Sequence, residues 1–272
     1  MRLLGIGLAL SQSVLLQVRA QPVAPSPAPN VKLEVRTRDN QKTFRMGEII
    51  PLELRFSSTV QHQMDGRNYD RSGRLDLETY TVEPRSGWKD PLDLYFRTVA
   101  SIGGGTGAIY ALSSEPILII AELNEWVRFE HAGEYRVTVQ SSRVRGEPVV
   151  SNQVWLTIVD PTPEWQEETL KTALAALAAS APAWPFGSGV SDPGRNAIRT
   201  LRFLGTPAAA REMAHRVTDI DCVLGLAGSP ARKAALDEMN RLLRDSTVVA
   251  DGWITHLMSV LETPQNEDEN RH

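Results

Sequence analysis

The chain has 272 residues, of which 42% are hydrophobic and 23% charged, so it can form one large or two modest globular domains. Its net charge of −4 argues against a nucleic-acid-binding protein, which normally carries a basic patch. A single cysteine, Cys222, excludes an intramolecular disulfide, so the fold must depend on its hydrophobic core.

The first twenty residues have the three-part pattern of a secretory signal peptide. Arg2 supplies a positive charge, residues 3–16 are mostly apolar, and Ala20 precedes a plausible cleavage point. The apolar run is shorter than the roughly 20 residues that span a bilayer, although an uncleaved anchor is the alternative. We therefore expect an exported protein, periplasmic or extracellular, with no transmembrane segment after cleavage. The sequence gives no indication of the oligomeric state.

Residues 21–30 contain four prolines and are predicted to form an extended tether. From Val31 to about residue 160, apolar and polar residues alternate with a period of two, which indicates strands with one buried face. A more continuous apolar run at 116–123 is typical of a central strand. About seven strands in about 130 residues predict an antiparallel β-sandwich.

Three segments carry a resemblance to a known fold. Residues 131–137 (HAGEYRV) resemble the tyrosine corner of immunoglobulin-like sandwiches, in which the hydroxyl of a tyrosine, here Tyr135, bonds to nearby backbone. Residues 44–54 and 151–159 resemble the opening hairpin and final strand of bacterial exported immunoglobulin-like domains. Val137 stands where antibody-type domains have a cysteine. The resemblance implies a fold rather than an activity.

The pattern becomes helical after a proline-rich break at 160–163. Thr162 is predicted to cap a helix over 163–180 with Pro163 in its first position, and residues 181–190 are predicted to form a loop. The domain boundaries that follow are 31–160 for the sandwich and 163–262 for the helical domain, with a disordered polar tail at 263–272.

Two helical segments begin with the same pattern, [D/S]-P-x-R-x-A, at residues 192–197 and 229–234, which are 37 residues apart. We expect helices to start at Pro193 and Pro230, the first ending at Gly205, with partner helices at about 207–217 and 251–261. Such pairs resemble HEAT-type repeats, and an unspecialised helical bundle is the alternative. The expected fold class is therefore all-β followed by all-α. Six arginines of this segment are expected on its solvated surface: Arg195, Arg199, Arg202, Arg211, Arg216 and Arg232.

The candidate binding site is a long segment, 85–114, in which aromatic residues flank the glycines of 103–107. Aromatic side chains give large contact areas and suit recognition of another surface. No Gly-Lys-Ser/Thr follows the glycines, which argues against a phosphate loop. The alternative is that the aromatics pack this segment onto the sandwich. The candidate residues are Trp88, Tyr95, Phe96 and Tyr110.

Other sites have weaker support. Residues 68–79 partly match a calcium-binding loop, but Thr79 stands where a glutamate ligand is required, and a hairpin turn explains the same residues. His215 and Asp219 lie four residues apart, but a single histidine supplies too few of the ligands that a zinc site needs. Cys222 has no recognisable catalytic context. We predict no metal, no cofactor and no catalytic residue.

The favoured function is a non-catalytic exported protein that mediates protein–protein or cell-envelope interactions. One alternative is an extracytoplasmic hydrolase with its site in the groove between the domains, which requires at least two convergent, buried ionisable groups there. The other alternative is a protease inhibitor that uses segment 85–114.

Overall fold

The computed structural model describes residues 30–67, 77–98, 108–146, 148–180 and 193–264. Within these ranges, strands fill the N-terminal part and most helices lie in the C-terminal part. Several predicted features lie outside the described residues: the signal peptide and the tether to residue 29, residues 68–76 of the calcium-like segment, the glycines at 103–107, the loop at 181–190 and the tail from residue 265.

The described residues contain twelve strands. They are β1 (Val31–Thr37), β2 (Thr43–Arg45), β3 (Pro51–Ser58), β4 (His62–Asp65), β5 (Glu78–Glu83), β6 (Trp88–Lys89), β7 (Ile109–Leu112), β8 (Ile117–Glu122), β9 (Arg128–Phe129), β10 (Gly133–Ser141), β11 (Val149–Val150) and β12 (Val154–Val159).

One sheet has the antiparallel order β1-β3-β8. Leu54 lies opposite Val35 on one side and Ile119 on the other, so the alternating apolar residues of all three strands share one buried face. β8, predicted to be central, instead lies at one end of this order. The apolar run of β8 is continuous in the sequence because Leu118 is apolar although it lies on the outer face, where it is 47% exposed.

A second sheet has the order β11-β10-β12-β2, with β5 on the other side of β10. β12 and β2 are parallel and the other pairs are antiparallel. Its buried residues, among them Val82, Val137 and Leu156, form one hydrophobic core with the buried face of the first sheet. Two antiparallel ribbons, β4–β7 and β6–β9, flank the sheets.

The predicted backbone contact of Tyr135 is confirmed. Its hydroxyl lies 2.9 Å from the carbonyl oxygen of His131 and 3.2 Å from that of Gly87, and it donates to these oxygens. Gly87 has a φ of +100°, and a Cβ there would lie 2.4 Å from the tyrosine oxygen. Only glycine therefore fits beside this ring without strain.

Seven helices lie in the described residues. They are α1 (Asp93–Thr98), α2 (Pro163–Ala179), α3 (Pro193–Leu204), α4 (Pro207–Ala214), α5 (Ile220–Ala227), α6 (Arg232–Arg244) and α7 (Gly252–Glu262). None of these is long and apolar enough to cross a membrane.

The predicted helix starts are confirmed for α2 and α3. The Thr162 hydroxyl accepts from the Trp165 N–H at 3.2 Å and caps α2, and α3 begins at Pro193 and ends before Gly205. α4 ends earlier than predicted, at Ala214. α6 begins at Arg232 rather than Pro230 because the Ser229 hydroxyl accepts from the Ala231 N–H at 3.1 Å, which holds a turn ahead of the helix.

The sequence did not predict α1 or α5. Residues 221–227 of α5 are all buried, and α3, α4 and α7 pack around this helix. α1 comes from the predicted binding segment, yet Leu92 and Tyr95 belong to the hydrophobic core of the helices. The ring of Tyr95 lies 4.9 Å from that of His256 in α7. The described residues thus form two cores, one between the sheets and one among the helices.

Candidate functional site

The four predicted aromatics lie in three different environments. Trp88 is buried between the sheets, where its indole N–H donates to the carbonyl oxygen of Val82 at 3.2 Å. Tyr95 is buried among the helices, and Phe96 packs beside it with ring centroids 5.3 Å apart. Tyr110, on β7, is 41% exposed. The structure therefore does not bring the four residues into one surface, and only Tyr110 presents much of its side chain to solvent.

Tyr110 has an exposed apolar neighbour that the sequence did not single out. Ile109 is 68% exposed, and both residues lie on the β4–β7 ribbon, opposite Asp65 and Met64. Met64 and Leu112 anchor the ribbon, because both side chains are fully buried in the core of the sheets. As successive residues of a strand, Ile109 and Tyr110 point to opposite faces of the ribbon. We call the exposed end of β7 that carries these two residues the ribbon surface.

The ring of Tyr110 rests on Gly66. A Cβ at Gly66 would lie 1.9 Å from the Cε2 atom of the ring, so any larger residue would displace it. The Gly66 N–H donates to the carbonyl oxygen of Ala108 at 2.8 Å, which continues the pairing of β4 and β7 by one residue. This close approach fixes the direction of the tyrosine.

A buried arginine holds the same end of the ribbon. Arg143 donates to the carbonyl oxygen of Asp65 at 3.1 Å and to that of Arg67. Its Nε atom lies 2.6 Å from Oε1 of Glu78, and neither side chain of this ion pair is exposed. The hydrogen bond from Arg67 lowers the pKa of Asp65, so that carboxylate stays ionised beside the ribbon surface. Because this backbone is already fixed, it loses less conformational entropy when a partner binds.

A second candidate region lies between the sheets and the helices. A cleft there is lined by residues of both halves, including Arg45, Ile50, Arg202 and Gly228. Arg128 spans it and donates to the carbonyl oxygen of Gly228. The space in the cleft that the centres of water molecules can occupy is about 40 Å³, which is small for an organic substrate.

Next to this cleft, five charged side chains meet in what we call the interdomain charge cluster: Glu122, Glu125, Arg199, Arg202 and Asp221. Nη1 of Arg199 lies 2.8 Å from Oε1 of Glu122. Nη1 of Arg202 lies 2.8 Å from Oε1 of Glu125 and 2.9 Å from Oδ1 of Asp221. Burial raises the pKa of Glu122 to about 7, and the nearby arginines oppose this shift only in part.

The cluster corrects the expectation that these helix arginines are solvated. The side chains of Arg199 and Arg202 are only 16% and 4% exposed, because α3 lies against β8 and the short 3₁₀ turn Leu123–Glu125 that follows it. Their partners on the sheet side are 77 residues away in sequence, so no local spacing could have indicated the pairs.

The cluster bears on the hydrolase hypothesis. Convergent, buried ionisable groups exist between the halves, as that hypothesis requires. However, Glu122 and Glu125 do not line the cleft, and each accepts from an arginine. Their geometry joins the two halves of the chain. Glu48, which does line the cleft, accepts from the Arg45 N–H at 2.9 Å and from the Gln41 side-chain amide at 3.0 Å.

The residues considered for a metal site have other roles. Oδ1 of Asp219 accepts from the Asp221 N–H at 2.9 Å and caps α5, while Nε2 of His215 lies 3.0 Å from Oε1 of Glu238. Cys222 is fully buried. Over the described ranges, no group of three or more His, Cys, Asp or Glu side chains is placed to hold a metal ion.

Comparisons with known proteins add little to this geometry. No family model matches the chain, and no curated protein matches it. Among solved structures it is similar to Astrotactin-2, described as a vertebrate-specific, perforin-like membrane protein involved in neuronal development. That similarity has 12% identity and a TM-score of 0.23, and it covers 85% of this chain but only 39% of the other. A score this low does not establish a shared fold.

Proposed function

We propose that the protein is a non-catalytic, exported binding protein that contacts another protein or a cell-envelope component through the ribbon surface. The observation that carries the proposal is the exposure of Ile109 and Tyr110, at 68% and 41%, on a ribbon that Met64 and Leu112 anchor in the core of the sheets. An exposed aromatic side chain on a rigid backbone supports an interaction site, because aromatic residues are enriched at protein interfaces.

We infer an immunoglobulin-like sandwich for the N-terminal half. Its support is the pair of sheets around one core, together with the hydroxyl of Tyr135 bonded to the backbone of His131. Such a scaffold presents ribbons and loops to partners on a rigid frame. Export to the periplasm or the extracellular space is part of the proposal and rests on the N-terminal pattern of the sequence.

For the C-terminal half we infer HEAT-like helix pairs, α3 with α4 and α6 with α7. Each pair packs together, and α4 packs against α6, as expected when one pair stacks on the next. Stacked helix pairs build extended surfaces that commonly bind other proteins, which agrees with a binding role for the whole chain.

The two alternatives have less support. The interdomain cleft is small, and Glu122 and Glu125 beside it accept from arginines, which weighs against a hydrolase there. A protease inhibitor would use segment 85–114, of which Trp88 and Tyr95 are buried in two separate cores.

Site-specific photo-crosslinking in the exporting cell tests the proposal. A photoreactive residue at position 109 should give a discrete adduct with a partner, and the same residue at Val249, which is 80% exposed on the helical side, should not. A single Ile109→Ser substitution should abolish co-purification of that partner without changing the thermal unfolding midpoint. Equal adducts at both positions, or none at 109, would overturn the proposal, and an adduct with a protease would favour the inhibitor.

A further inference from the structure

The five side chains of the interdomain charge cluster include more acids than bases. Three carboxylates, from Glu122, Glu125 and Asp221, meet two guanidinium groups, from Arg199 and Arg202. All five side chains are at most 16% exposed. Among these five groups the carboxylates outnumber the guanidinium groups by one, and burying a carboxylate is costly when one of its oxygens lacks a hydrogen-bond partner.

Glu122 is the member of the cluster with an unused acceptor. Its Oε1 atom accepts from Arg199, but its Oε2 atom is buried and has no hydrogen-bond partner among the described residues. Buried carboxylate oxygens normally accept at least one hydrogen bond. A proton on Oε2 would neutralise the Glu122 carboxylate and leave the bond from Arg199 to Oε1 in place.

The charged groups that face Glu122 come from three elements. α3 contributes Arg199 and Arg202, which favour the ionised form, and the 3₁₀ turn contributes Glu125 and α5 contributes Asp221, which oppose it. On the sheet side, Pro51 of β3 lies opposite Glu122 and brings no charge. The two arginines are shared with the other two acids, so their attraction does not offset the desolvation of Glu122.

We propose that the contact between the two halves is proton-linked, with Glu122 taking up one proton when α3 docks on β8 and releasing it when they separate. The proposal concerns the joint alone and does not depend on the function of the ribbon surface.

The direction of the effect follows from linkage. The pKa of Glu122 is about 7 in the joined state and has an ordinary value of 4.5 when the carboxyl is solvated. A carboxyl whose pKa is raised by docking contributes stability that is fully present below the lower value and is lost as the pH rises through the higher one. The joint should therefore be tightest at acidic pH, loosen progressively between about pH 4.5 and pH 7, and change little above that.

Hydrogen exchange of the intact chain tests this coupling. Glu122→Gln keeps the shape of the protonated carboxyl but cannot ionise. We expect the ratio of exchange rates of α3 amides, wild type over E122Q, to rise by up to about tenfold per pH unit between pH 5 and 7 and then level off. The intrinsic exchange rate cancels in this ratio because the sequence of α3 is the same in both proteins.

Glu53→Gln is the matched control, because Glu53 lies on the adjacent strand and pairs with Arg36 at 2.7 Å, outside the cluster. It should keep the wild-type dependence on pH. Carbon NMR of the Glu122 carboxyl in the unmodified protein gives a measurement that needs no variant, with an expected midpoint near 7. A ratio that stays flat from pH 5 to 8, or a carboxyl midpoint near 4.5, would overturn the proposal.

Discussion

Arg143 and Glu78 form an ion pair in which both side chains are completely buried, with Nε and Oε1 2.6 Å apart. Glu78 also accepts from the Ser141 hydroxyl at 2.8 Å, and Arg143 donates to two carbonyl oxygens at the end of β4. The pair thus ties β5 to the ribbon that presents Ile109 and Tyr110. Rigidity of the ribbon surface depends on this contact.

We expect Glu78→Ala to destabilise the protein by about 3–5 kcal/mol, because it leaves the Arg143 guanidinium buried without a counter-charge. Urea denaturation measures the change. The double variant Glu78→Ala/Arg143→Met should lose less than Glu78→Ala alone, since no unpaired charge remains.

Lys233→Ala is the control for this pair. The Lys233–Asp237 ion pair is 2.6 Å long but both side chains are largely exposed, so its loss should leave the urea midpoint unchanged. If Glu78→Ala unfolds at the same urea concentration as the wild type, Arg143 does not hold the ribbon in the way described.

The hydroxyl of Tyr135 gives a second prediction. Tyr135→Phe removes the donor that serves the carbonyl oxygens of His131 and Gly87 while keeping the buried ring. We expect a loss of about 1 kcal/mol in the free energy of unfolding. Tyr110→Phe, which changes an exposed ring of the same type, should have no measurable effect in the same denaturation experiment. Equal midpoints for both variants would contradict the structural role of the corner.

Local signals in the sequence predicted the features that local chemistry determines. Alternating apolar residues indicated β1, β3, β10 and β12, and the Thr162 cap indicated the start of α2. α5 gave no such signal, because a helix that is buried on every side has no polar face and so no period.

The candidate site was harder to predict, because burial depends on tertiary packing. Trp88 and Tyr95 looked like members of one exposed loop, yet pairing of β6 with β9 buries the first and docking of α1 on α7 buries the second. The sequence could not predict the charge cluster either, since the arginines of α3 meet acids that lie 77 residues away.

The cap of α7 gives a third prediction. Oδ1 of Asp251 accepts from the Ile254 N–H at 2.9 Å. Asp251→Ala should destabilise the protein by about 1 kcal/mol, whereas Asp251→Asn, whose side-chain oxygen can accept the same bond, should lose little. Helix content followed by circular dichroism during urea denaturation measures both. Similar losses for the two variants would mean that the negative charge, and not the hydrogen bond, matters at this position.

The thiol of Cys222 gives a fourth prediction, which tests the packing of the helical core. Burial in the middle of α5, together with the carboxylates of Asp219 and Asp221, raises the pKa of this thiol well above its ordinary value. The thiolate is the reactive form, so the folded protein at pH 8 should be labelled by iodoacetamide much more slowly than the protein unfolded in urea. Cys222→Ser combined with Val249→Cys moves the only thiol to a position that is 80% exposed and should be labelled rapidly in the folded state. Rapid labelling of Cys222 in the folded wild type would show that α5 is accessible, which the packing of α3, α4 and α7 around it does not allow.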